Sequence, residues 1–108
     1  MKQNIILFIN TSNQDTAKVS LEIDGKRYEK TSQSRVMKAQ MVLPLIEELL
    51  KEHQMKPSDI TEICVHVGPG SFTGLRVGMA VANMMGKLLN IPVNGKHLPV
   101  VPRYDRDW

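Results

Sequence analysis

The most restrictive feature of this chain is a glycine-dense turn within residues 68–78, GPGSFTGLRVG, which joins an apolar strand to an apolar helix. Glycine permits positive φ angles and close approach of a second backbone, while Pro69 fixes one φ angle between two of the glycines. The hydroxyl groups of Ser71 and Thr73 can accept hydrogen bonds from the free amides of a helix start. The turn therefore predicts a strand-to-helix connection that can receive an anion or a neighbouring chain.

Three interpretations of this turn remain open. A phosphate-binding loop would hold a nucleotide at the helix N-terminus. A Walker loop ends in Gly-Lys-Ser/Thr, however, and residues 73–75 read Thr-Gly-Leu, while a dinucleotide fingerprint needs glycine where Thr73 stands. The second interpretation is a tight connection that packs against its own sheet, because loop glycines usually serve geometry. The third is a recognition loop for another protein.

Outside this turn, the spacing of apolar residues predicts a single α/β domain with a mixed five-stranded sheet in the order β-β-β-α-β-α-β. A helical crossover should place the fourth strand parallel to the first. The strands are expected at residues 4–9, 17–23, 26–32, 62–67 and 91–94, and the helices at 38–54 and 72–89.

Composition narrows the function classes. With 108 residues, of which 42% are hydrophobic and 23% charged, the chain supports one compact domain. Its formal charge of +3 is spread along the chain, and its few aromatic residues do not form a stacking platform for RNA. Cys64 is the only cysteine and the three histidines lack metal-ligand spacing, so we expect neither a disulfide nor a metal site. The single cysteine fits a cytoplasmic protein. The apolar run near the N-terminus is too short to span a membrane.

The second predicted helix, residues 72–89, is apolar or small on most sides. We expect four residues of this helix to cover the sheet: Val77, Val81, Met84 and Leu88. Small residues recur every four positions and predict a shallow groove for another helix: Gly74, Gly78, Ala82 and Gly86. The first helix would extend this interface through Met37, Met41 and Leu45. The alternative is that both helices pack only on each other and on the sheet.

The run GPGSFTGLRVG resembles the signature of the TsaB (YeaZ) family. Residues 5–12 (IILFINTS) are similar to the opening strand of that family, and residues 40–50 (QMVLPLIEELL) to its first long helix. The resemblance covers about residues 3–93 and implies a ribonuclease H-like fold, as in the actin, hexokinase and Hsp70 ATPases. It also implies a non-catalytic partner of the enzyme TsaD in threonylcarbamoyl transfer to adenosine 37 of ANN-decoding tRNAs.

The same resemblance implies that TsaE can join the complex. The interface on the two helices would bind TsaD or, when the protein is alone, a second copy of this chain as a homodimer, and tRNA is expected to be bound only through the complex. No cofactor and no membrane partner are expected. Residues 1–95 would form the N-terminal domain of the family, followed by an extended tail at 96–108 in place of a second domain. Asn10 stands where this fold usually carries Asp, and Lys38 where relatives often carry histidine.

No catalytic residue is predicted. Ser71 and His66 lack an orienting acid, so serine hydrolysis is not supported. Two other functions stay open: a small nucleotide-binding or ATP-hydrolysing domain that uses the glycine turn, and a homodimeric remnant with no role in tRNA modification. The predicted interface and recognition residues are Met37, Met41, Leu45, Gly68, Pro69, Gly70, Ser71, Phe72, Thr73, Gly74, Arg76, Gly78, Ala82 and Gly86.

Overall fold

The computed structural model describes residues 3–13, 16–33, 38–70, 72–97 and 99–101, with the backbone alone at 33, 38–40 and 72. Four strands of these ranges form one mixed sheet: β1 (Ile5–Asn10), β2 (Thr16–Ile23), β3 (Lys26–Gln33) and β4 (Glu62–Val65). Their spatial order is β3-β2-β1-β4. β1 and β3 both pair antiparallel with β2, whereas β4 pairs parallel with β1. The predicted hairpin and the predicted parallel crossover are therefore confirmed.

Two α-helices are present, α1 (Lys38–Glu52) and α2 (Phe72–Leu89), with a short 3₁₀ helix at Pro57–Asp59 between them. The bounds of α2 agree with the prediction. α1 was predicted to reach Gln54 but ends two residues earlier, because Gln54 adopts a left-handed φ of 57° that a right-handed helix cannot continue. Neither described helix has the length and apolar composition that a bilayer crossing requires.

Both helices pack on one face of the sheet, because alternate strand residues point to opposite faces. In β1, Ile5, Leu7 and Ile9 are buried on the helix side, whereas Ile6 and Phe8 are half-buried on the other side. We call this other side the open face; it carries Ile6, Phe8, Asn10, Lys18, Ser20, Glu22, Arg27, Glu29, Thr31, Glu62 and Cys64. The core on the helix side adds Val19, Leu21, Val42, Ile46, Leu49, Ile63, Leu75 and Met79.

The predicted fifth strand at 91–94 is reduced to a single parallel bridge between Val93 and Ile63. Asn94 then takes the place of a strand residue with its side chain. Its Oδ1 accepts a hydrogen bond from the Val65 amide at 2.8 Å, and its Nδ2 donates to the Val65 carbonyl at 3.0 Å. Asn94 has a φ of 53° and Gly95 one of 78°, so the chain turns before a ladder can form. The described sheet therefore has four strands rather than five.

The predicted tail begins after this turn. The Asn83 side chain in α2 holds it, since Asn83 Oδ1 accepts from the Val100 amide at 2.9 Å and Nδ2 donates to the Val100 carbonyl at 3.1 Å. Val100 is partly buried against the core, whereas Val101 is 70% exposed. Residues 102–108, including Trp108, lie outside the described part of the chain.

Candidate functional site

The glycine turn lies at the edge of the sheet where the parallel strands β1 and β4 both end. His66 follows β4 and donates from Nε2 to the Pro69 carbonyl at 2.9 Å, which closes the turn on itself. Gly68 has a φ of 136°, a backbone conformation that side chains rarely allow. Pro69, Gly70 and Thr73 are exposed. The turn thus presents a short stretch of backbone to the surroundings at the start of α2.

The loop after β1 packs directly beneath this turn. A Cβ atom added at Gly70 would lie 2.5 Å from the Ser12 Cβ, closer than two carbons can approach. Ser12 is itself fixed by Asn10, whose Oδ1 accepts hydrogen bonds from the Ser12 amide at 3.0 Å and the Ser12 hydroxyl at 2.6 Å. Glycine at 70 is therefore required by close approach of the chain's own loop. This geometry fits the tight connection considered in the sequence analysis.

A second contact ties the same loop to α2. Thr11 is 1% exposed, and its hydroxyl donates to the Gly74 carbonyl at 2.5 Å. A Cβ atom at Gly78 would overlap the Thr11 Oγ1 and would lie 3.5 Å from methyl groups of Ile9 and Val65. The first turns of α2 thus approach the ends of β1 and β4 so closely that only a hydrogen atom fits at position 78.

The small residues of α2 consequently face the sheet. Ala82 is fully buried, and a Cβ at Gly86 would lie 2.5 Å from a methyl group of Val93. From the sequence, these small residues were predicted to line a groove open to another chain, and Met84 and Leu88 to cover the sheet. The structure reverses the two sides of α2, because the small residues face the sheet while Met84 is 43% exposed and Leu88 is 75% exposed. Small side chains lie inside because they let the helix backbone approach the strands.

The other predicted interface residues, on the first helix and near the turn, differ in their exposure. Leu45 is 8% exposed and belongs to the core, so it is a packing residue rather than a surface contact. Met41 is half-buried. Met37 and Ser71 lie outside the described residues, and only the backbone of Phe72 is described. Arg76 lies exposed one turn into α2, on the side opposite the sheet.

An apolar groove of about 620 Å³ runs between the two helices on the outer surface. Leu43, 44% exposed, and Leu88 form its outer rim. Glu47, Lys51 and Lys56 lie on its polar edge, where Lys51 Nζ is 3.2 Å from Glu47 Oε1. Its floor is made by Ile46, Leu50, Met55, Met85 and Leu89. We call this surface the helix groove. It contains Leu43 and Leu88, two large apolar side chains on α1 and α2 that stay exposed.

Two groups have shifted pKa values. A hydrogen bond to Glu52, 2.5 Å from Lys30 Nζ, raises the pKa of Lys30 and links β3 to α1 on the surface. Burial raises the pKa of the Cys64 thiol, and the carboxylate of Glu62 adds to the effect. Within the described residues, no group of three or more histidine, cysteine or acidic side chains could hold a metal ion.

Several residues that shape this site were not found from the sequence. Asn10 was read only as a substituted Asp, although the order Asn-Thr-Ser after a strand is a typical side-chain turn that could have predicted the bond to Ser12. Thr11, Asn83 and Asn94 each replace a backbone partner, and no local pattern signals that. Leu43 and Leu88 were seen as apolar, but their exposure depends on how the helices dock.

Comparisons with known proteins agree with this architecture. A family model described as TsaD, tRNA N6-adenosine threonylcarbamoyltransferase, matches residues 35–98. The chain is 33% identical over 89 residues to the tRNA threonylcarbamoyladenosine biosynthesis protein TsaB of Bacillus subtilis, which covers 82% of this chain and 39% of that relative. A probable tRNA N6-adenosine threonylcarbamoyltransferase of Drosophila melanogaster is 46% identical over 54 residues, 50% of this chain and 16% of that protein.

Among solved structures, YeaZ from Pseudomonas aeruginosa superimposes with a TM-score of 0.78 at 28% identity, over 91% of this chain and 44% of that one. The fold and the glycine turn thus define an α/β domain of the YeaZ type. The chain spans 39% of the length of the Bacillus relative that it matches. It belongs to the family that the TsaD model describes, and within it to the TsaB (YeaZ) group.

Proposed function

We propose that this chain is a non-catalytic partner of a TsaD-type protein in threonylcarbamoyladenosine biosynthesis, acting in the cytoplasm on adenosine 37 of ANN-decoding tRNAs. The observation that carries the proposal is the 33% identity over 82% of this chain to a TsaB protein named for that biosynthesis. A TsaE-type protein would join the same complex, and tRNA would be bound by the complex as a whole.

The helix groove supports a protein partner. Exposed apolar side chains that line one continuous depression mark interaction sites more often than scattered surface leucines do. Leu88 at 75% exposure and Leu43 at 44% would be removed from water by a helix laid along the groove. At its edge Glu47 and Lys51 pair with each other, and Lys56 would favour an acidic residue on that helix. The interface therefore uses the outer side of α1 and α2.

The contacts of the glycine turn support a role without catalysis. Ser12 fills the space beside Gly70, and the Asn10 side chain, which stands at the end of β1, is engaged by two hydrogen bonds from Ser12. His66 donates a hydrogen bond from Nε2 to the Pro69 carbonyl. These contacts of Asn10, Ser12 and His66 hold the loops at this edge in place, and the turn braces the start of α2.

The test is to mix this protein with the TsaD-type protein of the same organism and to measure complex mass by size-exclusion chromatography with light scattering. We expect a one-to-one or two-to-two complex. Leu88→Glu should abolish it, because a carboxylate would be buried in an apolar interface. Val101→Glu is the matched control, since Val101 is 70% exposed but lies outside the groove. It should leave the complex intact.

Two results would argue against the proposal. If both proteins elute separately at every ratio, the partner role is lost. If Leu88→Glu and Val101→Glu bind equally well, the groove is not the interface. Tight nucleotide binding by the isolated chain would instead favour the small ATPase considered above.

A further inference from the structure

Asn94 and Gly95 form the only Asn-Gly pair in the sequence. In such a pair the backbone nitrogen of the glycine can attack the side-chain carbonyl carbon of the asparagine, because glycine has no side chain to block the approach. The other five asparagines are followed by isoleucine, threonine, glutamine or methionine, whose side chains hinder the same attack. The sequence therefore contains one position that is chemically suited to loss of its side-chain amide.

The turn that carries this pair is open to water. Asn94, Gly95 and Lys96 are exposed, and a Cβ atom added at Gly95 would meet nothing within 4 Å. The turn is closed by two backbone bonds, from the Val93 amide to the Lys96 carbonyl at 2.8 Å and from the Lys96 amide to the Val93 carbonyl at 3.1 Å. Water can therefore reach the atoms that would react.

The Asn94 side chain is nevertheless held away from the attack. Its Oδ1 accepts from the Val65 amide at 2.8 Å, and its Nδ2 donates to the Val65 carbonyl at 3.0 Å. We call these two bonds the Asn94 clasp. A side chain bound at both ends of its amide cannot turn its carbonyl carbon onto the Gly95 nitrogen until both bonds break. The clasp therefore blocks the reaction in the closed turn.

Packing next to the turn keeps the clasp closed. Val93 is 4% exposed, and one of its methyl groups lies where a Cβ atom at Gly86 of α2 would stand. Val93 also bridges to Ile63 of β4, and the Asn94 amide donates to the Ile63 carbonyl at 2.8 Å. Opening the turn exposes this apolar contact and breaks these bonds together with the clasp. The reactive conformation is therefore rare in the folded protein.

We propose that Asn94 is a site of self-catalysed deamidation, blocked by the clasp and reactive when the turn of residues 93–96 opens. The Gly95 nitrogen loses its proton to a base in water and forms a bond to the Asn94 side-chain carbonyl carbon. The bond from that carbon to Nδ2 breaks, and ammonia leaves after taking up a proton from water. Water then opens the cyclic imide at either carbonyl and gives aspartate or isoaspartate. The net reaction consumes one water and releases one ammonia, without oxidant or cofactor.

The product cannot form the clasp again. In aspartate, an oxygen without a proton replaces the Nδ2 donor and faces the Val65 carbonyl, so two acceptors meet without a hydrogen between them. In isoaspartate, the main chain gains one carbon inside a turn that is closed between Val93 and Lys96. A molecule that has opened and reacted is therefore permanently changed at this edge of β4.

The first test compares the rate of deamidation in folded and unfolded protein. The full chain is incubated at mildly alkaline pH, with and without denaturing guanidinium chloride, and digested with trypsin. Cleavage after Lys87 and Lys96 gives one peptide with both Asn90 and Asn94, and fragment masses separate the two. We expect Asn94 to lose its amide in guanidinium while Asn90 stays intact. In the folded protein the loss at Asn94 should be at least about tenfold slower.

A pair of valine variants tests the gate without changing the reacting residues. Val93→Ala weakens the packing that closes the turn and should raise the rate in the folded protein about tenfold, with little change in guanidinium. Val101→Ala is the matched control, because Val101 is 70% exposed, and it should leave both rates unchanged. Circular dichroism checks that each variant is folded.

Asn94→Asp reproduces one product directly. It should lower the Tm by roughly 5–15 °C, because the Val65 carbonyl loses its donor. Equal rates in folded and unfolded protein would overturn the proposal, as would an Asn94 that stays intact in guanidinium. Equal rates in folded Val93→Ala and Val101→Ala would show that the turn is not the gate. An unchanged Tm of Asn94→Asp would show that the product forms the clasp after all.

Discussion

Replacing Gly78 by alanine is expected to destabilise the domain by about 3 kcal/mol. The added methyl group would overlap the Thr11 Oγ1, which is 1% exposed and already donates to the Gly74 carbonyl. Loss of that buried hydrogen bond costs about 1–3 kcal/mol, and crowding of a packed core costs a further 1–3 kcal/mol or so. The higher helix propensity of alanine offsets about 1 kcal/mol of this loss of stability. The net loss is therefore about 1–5 kcal/mol.

The assay is thermal and urea unfolding followed by circular dichroism. In a domain of this size, 3 kcal/mol corresponds to a fall in Tm of roughly 12–24 °C. Ala80→Gly calibrates the propensity term in the same helix, because Ala80 is exposed, and it should cost about 1 kcal/mol. Gly78→Ala should cost clearly more, even though it changes propensity in the favourable direction.

A double-mutant cycle identifies the cause. Thr11→Ala removes the atom that the new methyl group would overlap, so adding Gly78→Ala to Thr11→Ala should cost little or even stabilise. We expect a coupling energy of at least about 2 kcal/mol. Unchanged or increased stability of the single variant Gly78→Ala would refute this reasoning. It would indicate that Gly78 faces a groove open to solvent, as the sequence analysis proposed.

Three further predictions concern side chains that replace backbone partners or report on burial. Asn94→Gly keeps the positive φ but removes both hydrogen bonds to Val65, and should lower the free energy of unfolding in urea by about 1–3 kcal/mol. Asn94→Ala should lower it by about 1 kcal/mol more, because alanine disfavours the positive φ. Equal losses would show that the backbone conformation is unimportant. Asn83→Ala should release Val100 and speed limited proteolysis near it, with a stability loss of only about 1–2 kcal/mol; an unchanged cleavage rate would show that these bonds do not hold the segment. Because burial raises the pKa of Cys64, its alkylation rate should rise with pH at a higher midpoint than that of an unfolded cysteine peptide, and a midpoint at or below that of the peptide would contradict the described burial.

The order of elements could be read from the sequence because it depends on local patterns. Alternation in residues 17–23 and the Asp24-Gly25 turn predicted the hairpin, and helical spacing predicted α2 over the range that it occupies. The length and glycine content of the turn predicted a strand-to-helix connection. These signals are set by side-chain periodicity and by φ restrictions, which act within a few residues.

The sequence by itself also determined that α2 is apolar on nearly every side, but it could not determine which side meets the sheet. Both sides satisfy the helical period, and the choice depends on how closely the backbone of α2 can approach β1 and β4. Gly78 and Ala82 permit the shorter distance, so they lie inside while Leu88 is left outside. The predicted fifth strand is also prevented by a tertiary contact, because the Asn94 side chain bonds to Val65 and ends the ladder after one bridge. Such contacts join residues far apart along the chain, and only the tertiary structure brings them together.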